Sequence, residues 1–226
     1  MNKRSSVLMF VIVLASNIIG GLLKEQWLEY CSKPLIIISL IVYFLLQTKG
    51  TEPGLKKWVL FALIFSWMGD VLLMFQVSNA IFFLLGLSAF LIAHIFYIIL
   101  FHLIRIKENI KSNLWLLLGV VVYYAALITF LSPYLGDMKQ PVRIYGLVIS
   151  FMFMLAMHML YIKDKAAGRR MMMGALLFVV SDSVLAANKF YQSVELAGPV
   201  IMLTYGLAQL FIVNGAGRYI NVNSRE

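Results

Sequence analysis

The sequence predicts an all-α, polytopic integral membrane protein with eight transmembrane helices. Three observations carry this. Hydrophobic residues make up 62% of the 226 positions and charged residues only 13%, whereas a soluble domain runs nearer half and a quarter. The mean hydropathy is +0.90. The apolar residues gather into runs of the length that crosses hydrocarbon, roughly 20 residues at 1.5 Å each. A globular core of this size has no room for such a surplus, so the surplus faces lipid. The same numbers exclude a disordered chain. A single cysteine, Cys31, excludes a disulfide scaffold. A net charge of +9 invites a nucleic-acid reading, but the basic residues lie between apolar runs rather than on one domain. No nucleic-acid partner is expected.

The predicted spans are 7–23, 34–47, 58–75, 80–101, 114–131, 141–161, 171–188 and 195–214, forming one membrane domain over 1–226. Helices are expected because every backbone N–H and C=O must be paired internally in hydrocarbon. The alternation of a membrane barrel is absent. The first run follows Lys3 and Arg4 as in a signal peptide. It has spanning length and no clear small-x-small cleavage site, so it is read as the first helix. The second is short, with Pro34 as its start, where a missing N–H is harmless. The third and seventh runs carry Asp70 and Asp182. The fourth carries His94 and Tyr97, three residues apart and on one face. The fifth and sixth contribute apolar length. Met171-Met172-Met173 resembles a metal-handling box only superficially and reads as the start of the seventh. The eighth carries Tyr205 and Gln209 at i, i+4. The longest connection, near 102–113, leaves no space for a soluble domain.

Eight spans put both termini on one side. That side collects 14 of the 19 Lys and Arg, from Lys3 and Arg4 to Arg218 and Arg225. The other holds 5, namely Lys24, Lys33, Lys139, Arg143 and Lys189. The bias predicts cytoplasmic termini and makes the positive charge a topology signal, although basic loops also attract acidic headgroups. Short tails without sorting signals suggest a bacterial inner membrane, with the endoplasmic reticulum as the alternative.

An ionisable group inside a span costs several kcal/mol and is by default a functional candidate. Asp70, in Ser66-Trp67-Met68-Gly69-Asp70, has no basic residue near it in sequence. Asp182, in Ser181-Asp182-Ser183, has Lys189 two turns further along its helix. The plain structural alternative pairs Asp182 with Lys189 and caps Asp70 with a hydroxyl. Two carboxylates at comparable depth favour a site instead. His94, Tyr97, Tyr205 and Gln209 are candidates for its wall, with interhelical hydrogen bonding as the alternative. Lys33, Asn188 and Lys189 fall at the outer helix ends, where lysines also snorkel. Asn17 is read as a bridge between helices, and His102 and His158 as interfacial. Asp70 and Asp182 are 112 residues apart, as are Gly86 and Gly198, and Leu73 and Leu185. This spacing suggests a four-plus-four parallel internal repeat about an axis along the membrane normal.

The stretches Lys33-Pro34-Leu35, Gly69-Asp70-Val71-Leu72-Leu73, Phe83-Leu84-Leu85-Gly86-Leu87, Ala93-His94-Ile95-Phe96-Tyr97, Ser181-Asp182-Ser183 with Asn188-Lys189-Phe190, and Thr204-Tyr205 with Ala208-Gln209 resemble the YhhN-type lysoplasmalogenases, eight-helix membrane hydrolases. The resemblance implies hydrolysis of the vinyl-ether bond of a lysophospholipid to a fatty aldehyde and a glycerophospho-base. It also implies that Asp70 and Asp182 are the catalytic pair and that Lys33, His94, Tyr97, Asn188, Lys189, Tyr205 and Gln209 bind substrate. Such chemistry fits paired carboxyl groups. A vinyl ether is cleaved by acid, through protonation of its β-carbon. A low-dielectric site disfavours a charged carboxylate, and two close carboxylates disfavour double ionisation. One group can then supply the proton while the other stabilises the cation.

No cofactor or metal is expected; the partners are the substrate and membrane lipid, and nothing in the sequence fixes an oligomeric state. Three other readings compete. A zinc hydrolase would use His94 with both Asp, but a catalytic zinc generally takes three protein ligands and only one deep His is present. A proton-coupled lipid transporter or flippase would use the Asp pair as a relay, against which few helix-breaking residues interrupt the third and seventh spans. A scaffold without a site would leave both Asp unexplained.

Overall fold

A computed structural model describes residues 2–224, so Arg225, counted above among the basic residues, lies outside the described residues. Every predicted span is a helix long and apolar enough to cross a membrane, and the protein is multi-pass. The helices are α1 (Lys3–Leu23), α2 (Gln26–Gln47), α3 (Pro53–Met74), α4 (Ile81–Lys107), α5 (Leu114–Leu131), α6 (Lys139–His158), α7 (Lys165–Ala186) and α8 (Ala197–Asn223). Short 3₁₀ turns join α5 to α6 and α6 to α7, and a π-helical turn, Ala187–Tyr191, extends α7.

Helix ends differ from the predicted spans for physical reasons. α2 begins eight residues before 34, so Pro34 lies inside it rather than at its start. Membrane helices tolerate an interior proline when neighbouring groups re-satisfy the freed backbone. Here the turn before Pro34 is tied down from α1. Asn17 donates to Ser32 Oγ at 2.9 Å and to the Glu29 carbonyl at 3.2 Å, as its bridging role predicts. α4 and α8 each run 27 residues. The continuation of α4 carries Arg105 and Lys107, cations that suit a helix C-terminus. His158, at the end of α6, is buried against the connection between α4 and α5. Its Nε2 accepts the Asn113 N–H at 3.2 Å, which leaves Nδ1 to donate to the Met154 carbonyl at 2.8 Å.

The core forms where small residues let helices approach. A Cβ on Gly69 of α3 would lie 2.6 Å from the Phe90 ring of α4, and one on Gly174 of α7 would lie 2.6 Å from the Ala208 carbonyl oxygen of α8. α3 with α4, and α7 with α8, therefore pack as tight hairpins. α5 is peripheral and buries only Val120 and Leu131, while Leu118, Val121 and Val122 point outward as a lipid-facing surface must. The internal repeat is not confirmed. Asp70 is held by Tyr205 of α8, whereas the position 112 residues before Tyr205 is Ala93.

The start of α7 is fixed by Asp164, which accepts from the backbone N–H groups of Ala166 and Ala167, both at 3.1 Å, and from Arg218 Nε at 2.7 Å. Partial burial pushes its carboxyl up, but the amide and guanidinium donors outweigh burial and hold it below the usual carboxylate value. A depressed folded-state value stabilises the protein above the ordinary Asp value of about 3.9, and this contribution is lost as pH falls further. Thermal melts should therefore show a fall in Tm below about pH 4 that is smaller in Asp164→Asn; an equal fall in the variant would refute this role.

Candidate active site

Three consecutive residues of α7 reach three different helices, because successive side chains on a helix are about 100° apart. Ser181 Oγ donates to the Ile201 carbonyl of α8 at 3.0 Å. Asp182 Oδ2 accepts from the Tyr145 hydroxyl of α6 at 2.5 Å. Ser183 Oγ shares a hydrogen bond with the Tyr123 hydroxyl of α5 at 2.7 Å. On α3, Asp70 Oδ2 accepts from the Tyr205 hydroxyl of α8 at 2.7 Å. Gly69 permits this arrangement at one remove. It admits the Phe90 ring, which meets Tyr205 edge-on with centroids 5.7 Å apart and so steadies the phenol.

Both carboxyl groups line one cavity of about 70 Å³. Lys33, Gln76, Ser181, Tyr145 and Tyr205 supply the rest of its polar wall, and Leu73, Phe83, Leu87, Phe90, Leu185, Ile201 and Met202 its apolar wall. Asp70 is 2% exposed, while the Asp182 side chain keeps 15% exposure. Each Asp commits Oδ2 to a tyrosine, and no protein donor is recorded for either Oδ1 among the described residues. Lys33 shares the wall with Asp70, and no ion pair joins the two among the described residues.

His94 stands behind Asp182, with Nε2 at 4.0 Å from Oδ2. Its ring is fully buried, edge-on to Tyr145 at 5.3 Å and to Phe178 at 4.7 Å. Neither ring nitrogen has a hydrogen-bond partner among the described residues. One turn beyond the Asp70–Tyr205 pair lies a second polar layer. There the Tyr97 hydroxyl donates to Gln209 Oε1 at 2.5 Å, and Gln209 Nε2 donates to Ser66 Oγ at 2.9 Å. Tyr97 and Gln209 therefore support the cavity floor and do not line it.

The residues at the outer ends divide similarly. Lys33 is in the wall. Asn188 Oδ1 instead accepts the Val194 N–H at 2.8 Å and closes the turn before α8. Lys189 does not pair with Asp182. Its ammonium donates to Gln76 Oε1 at 3.1 Å and lies 4.9 Å from the Phe83 ring centroid. The π-helical turn redirects it toward α3 and α4, away from the face that regular α-geometry would give it. Among the described residues no three His, Cys, Asp or Glu side chains converge as metal ligands.

The chain matches the YhhN family over residues 28–216, a stretch that spans α2 to α8 and contains both Asp-bearing helices. The chain belongs to the YhhN family. Similar to it is lysoplasmalogenase TMEM86B of Mus musculus, 31% identical over 196 residues, which cover 86% of this chain and 78% of the relative. Lysoplasmalogenase TMEM86A of Bos taurus is 30% identical over 234 residues, covering 99% of this chain and 88% of that one. A lysoplasmalogenase of Mycobacterium bovis is 28% identical over 163 residues, covering 71% and 60%. No solved structure matches the chain.

The wall of this YhhN protein also holds Tyr145, Gln76 and Ser181, none of which the sequence pattern marks as a wall residue, although Ser181 is the immediate neighbour of Asp182. Tyr145 is one of 11 tyrosines, and only the packing of α6 on α7 distinguishes it. Removing either phenol leaves a carboxyl oxygen without its donor, a loss of about 1–3 kcal/mol when no water replaces it. Tyr205→Phe should therefore lower Tm more than Tyr145→Phe, because Asp70 is the more deeply buried of the two carboxyl groups. Melts of the purified variants in one detergent test the order, and the reverse order would contradict it.

Proposed function

We propose that this protein is a lysoplasmalogenase that hydrolyses the vinyl-ether bond through Asp70 and Asp182. The observation that carries the reading is the meeting of these two carboxyl groups in one cavity of an intramembrane helix bundle. The names of the relatives supply the substrate class. One carboxyl group delivers a proton to the β-carbon of the vinyl ether, and the C=C π electrons form the new C–H bond. The resulting oxocarbenium ion lies against the other group, as carboxylate, in the way that paired carboxylates serve glycoside cleavage. That carboxylate takes a proton from water as the water oxygen bonds to the cationic carbon. The hemiacetal then collapses: its hydroxyl proton passes to the first group, now carboxylate, as the C=O of the fatty aldehyde forms, and the glycerol oxygen leaves as an alcohol with the proton held by the second, which restores both groups.

The two tyrosines hold Oδ2 of each Asp, which leaves Oδ1 to exchange protons with substrate and water. The cavity admits only a few water molecules, whereas ligand sites typically measure several hundred Å³. The alkenyl chain therefore enters from lipid by displacing side chains of the apolar wall, among which Met202 is the most adaptable. Lys33, half-buried at the rim, meets the headgroup phosphate, and His94 positions Asp182 from behind. The whole chain acts as one membrane domain. It sits in a bacterial inner membrane with both termini in the cytoplasm, so the cavity opens toward the opposite side. No observation favours a transporter.

Purified protein incubated with lysoplasmalogen should release free aldehyde, detected by mass spectrometry; its absence would overturn the assignment. Asp70→Asn and Asp182→Asn should each lower turnover at least ~100-fold while still folding, and retained turnover in either would remove the mechanism. Lys33→Ala should raise KM more than it lowers kcat. The opposite split would make Lys33 a structural lysine.

A further inference from the structure

A second cavity, of about 730 Å³, opens at the other end of the bundle, where α1 begins and α8 ends. It lies between α1, α2, α7 and α8. Lys3, Arg4, Arg170 and Arg218 all face it, and no acidic side chain does among the described residues. Arg218 gives Nε to Asp164, and Arg170 gives Nη1 to Asn214 Oδ1 at 2.7 Å; their remaining guanidinium N–H groups have no recorded acceptor among the described residues. Tyr43, 6% exposed, accepts from Asn214 Nδ2 at 2.8 Å and keeps its own proton for another acceptor. The Gln47 amide oxygen is buried without a partner. The remaining wall includes Val7, Leu8 and Val11, of which Leu8 and Val11 are 59% and 49% exposed on the outer face of α1.

Arg218 is paired with Asp164, while Lys3, Arg4 and Arg170 have no acidic partner among the described residues, and guanidinium donors in a concave site suit phosphate. The apolar strip of α1 continues from this basic mouth along the bilayer. We propose that the cavity binds an anionic glycerophospholipid, with its phosphate among Lys3, Arg4, Arg170 and Arg218 and an acyl chain along Val7, Leu8 and Val11. The headgroup carries no cation, because the wall has no acid to meet one. A hydroxyl on it would satisfy Gln47. The lipid joins the start of α1 to the α7–α8 hairpin. This site lies outside the Asp cavity, and the proposal does not rest on the catalytic reading.

The test uses full-length protein from nanodiscs of phosphatidylcholine with a minor fraction of phosphatidylglycerol, and native mass spectrometry of the lipid retained. The wild type should keep one phosphatidylglycerol several-fold in preference to phosphatidylcholine. Lys3→Gln/Arg4→Gln should lose that preference, as should Arg170→Gln. The first pair makes no side-chain hydrogen bond within the protein, so folding is spared. Lys49→Gln/Lys111→Gln removes equal charge from the same end, outside the cavity, and should retain the preference. The proposal fails if the wild type shows none, or if the control pair loses as much as the cavity variants. It also fails if inorganic phosphate or glycerol phosphate alone raises Tm as much as the lipid does, since the occupant would then be a soluble phosphate. Aldehyde release is not read in any arm, so failure here leaves the hydrolase reading to its own test.

Discussion

A carboxyl group among packed apolar helices has to be met by a donor from a neighbouring helix, because water cannot reach it freely and an orphaned polar group is costly there. Two tyrosines meet this requirement. Tyr205 crosses from α8 to Asp70, and Tyr145 crosses from α6 to Asp182. Each bond fixes the spacing and rotation of a helix pair. The two Asp–Tyr pairs thus hold α3 to α8 and α6 to α7 around the cavity. The Ser66–Gln209–Tyr97 layer repeats the device one turn away and locks α4 into the same centre.

Close approach makes these bonds reachable. Gly69 and Gly174 remove the side chains that would hold neighbouring helices apart. Aromatic rings then fill the space that small residues leave. Phe90, Phe178 and Tyr205 meet edge-on, which is the favoured arrangement for aromatic quadrupoles, and His94 joins them through Phe178. The Gly-Asp dipeptide of α3 is therefore one unit, in which the glycine shapes the packing that sets the donor for its neighbour. The periphery follows the opposite rule. α5 has few contacts to make and shows an apolar surface on almost every side.

The two ends of the bundle differ in their electrostatics. One end places two carboxyl groups in a small, mostly enclosed space with a single lysine at its rim. The other opens widely, and the charged side chains that line it are all cations among the described residues. An enclosed low-dielectric site with acids suits proton transfer to a neutral double bond. An open basic site beside lipid-facing valine and leucine suits an anion that is already charged and already in the membrane.

The sequence by itself determined the eight spans, because the free energy of placing side chains in hydrocarbon is large and nearly additive along the chain. It also marked Asp70 and Asp182, since an acid in such a run is conspicuous. Helix ends were less legible. The continuation of α2 upstream of Pro34 depends on Asn17 of another helix, and no local rule contains that contact. Only the tertiary structure decided which polar residues share a wall. It brought Lys33 and Tyr205 into the cavity and added Tyr145, turned Lys189 to Gln76, and left Tyr97 and Gln209 one layer away. Hydropathy sums over single residues, whereas a site is made by pairs of distant residues, and their meeting is set by helix rotation and packing.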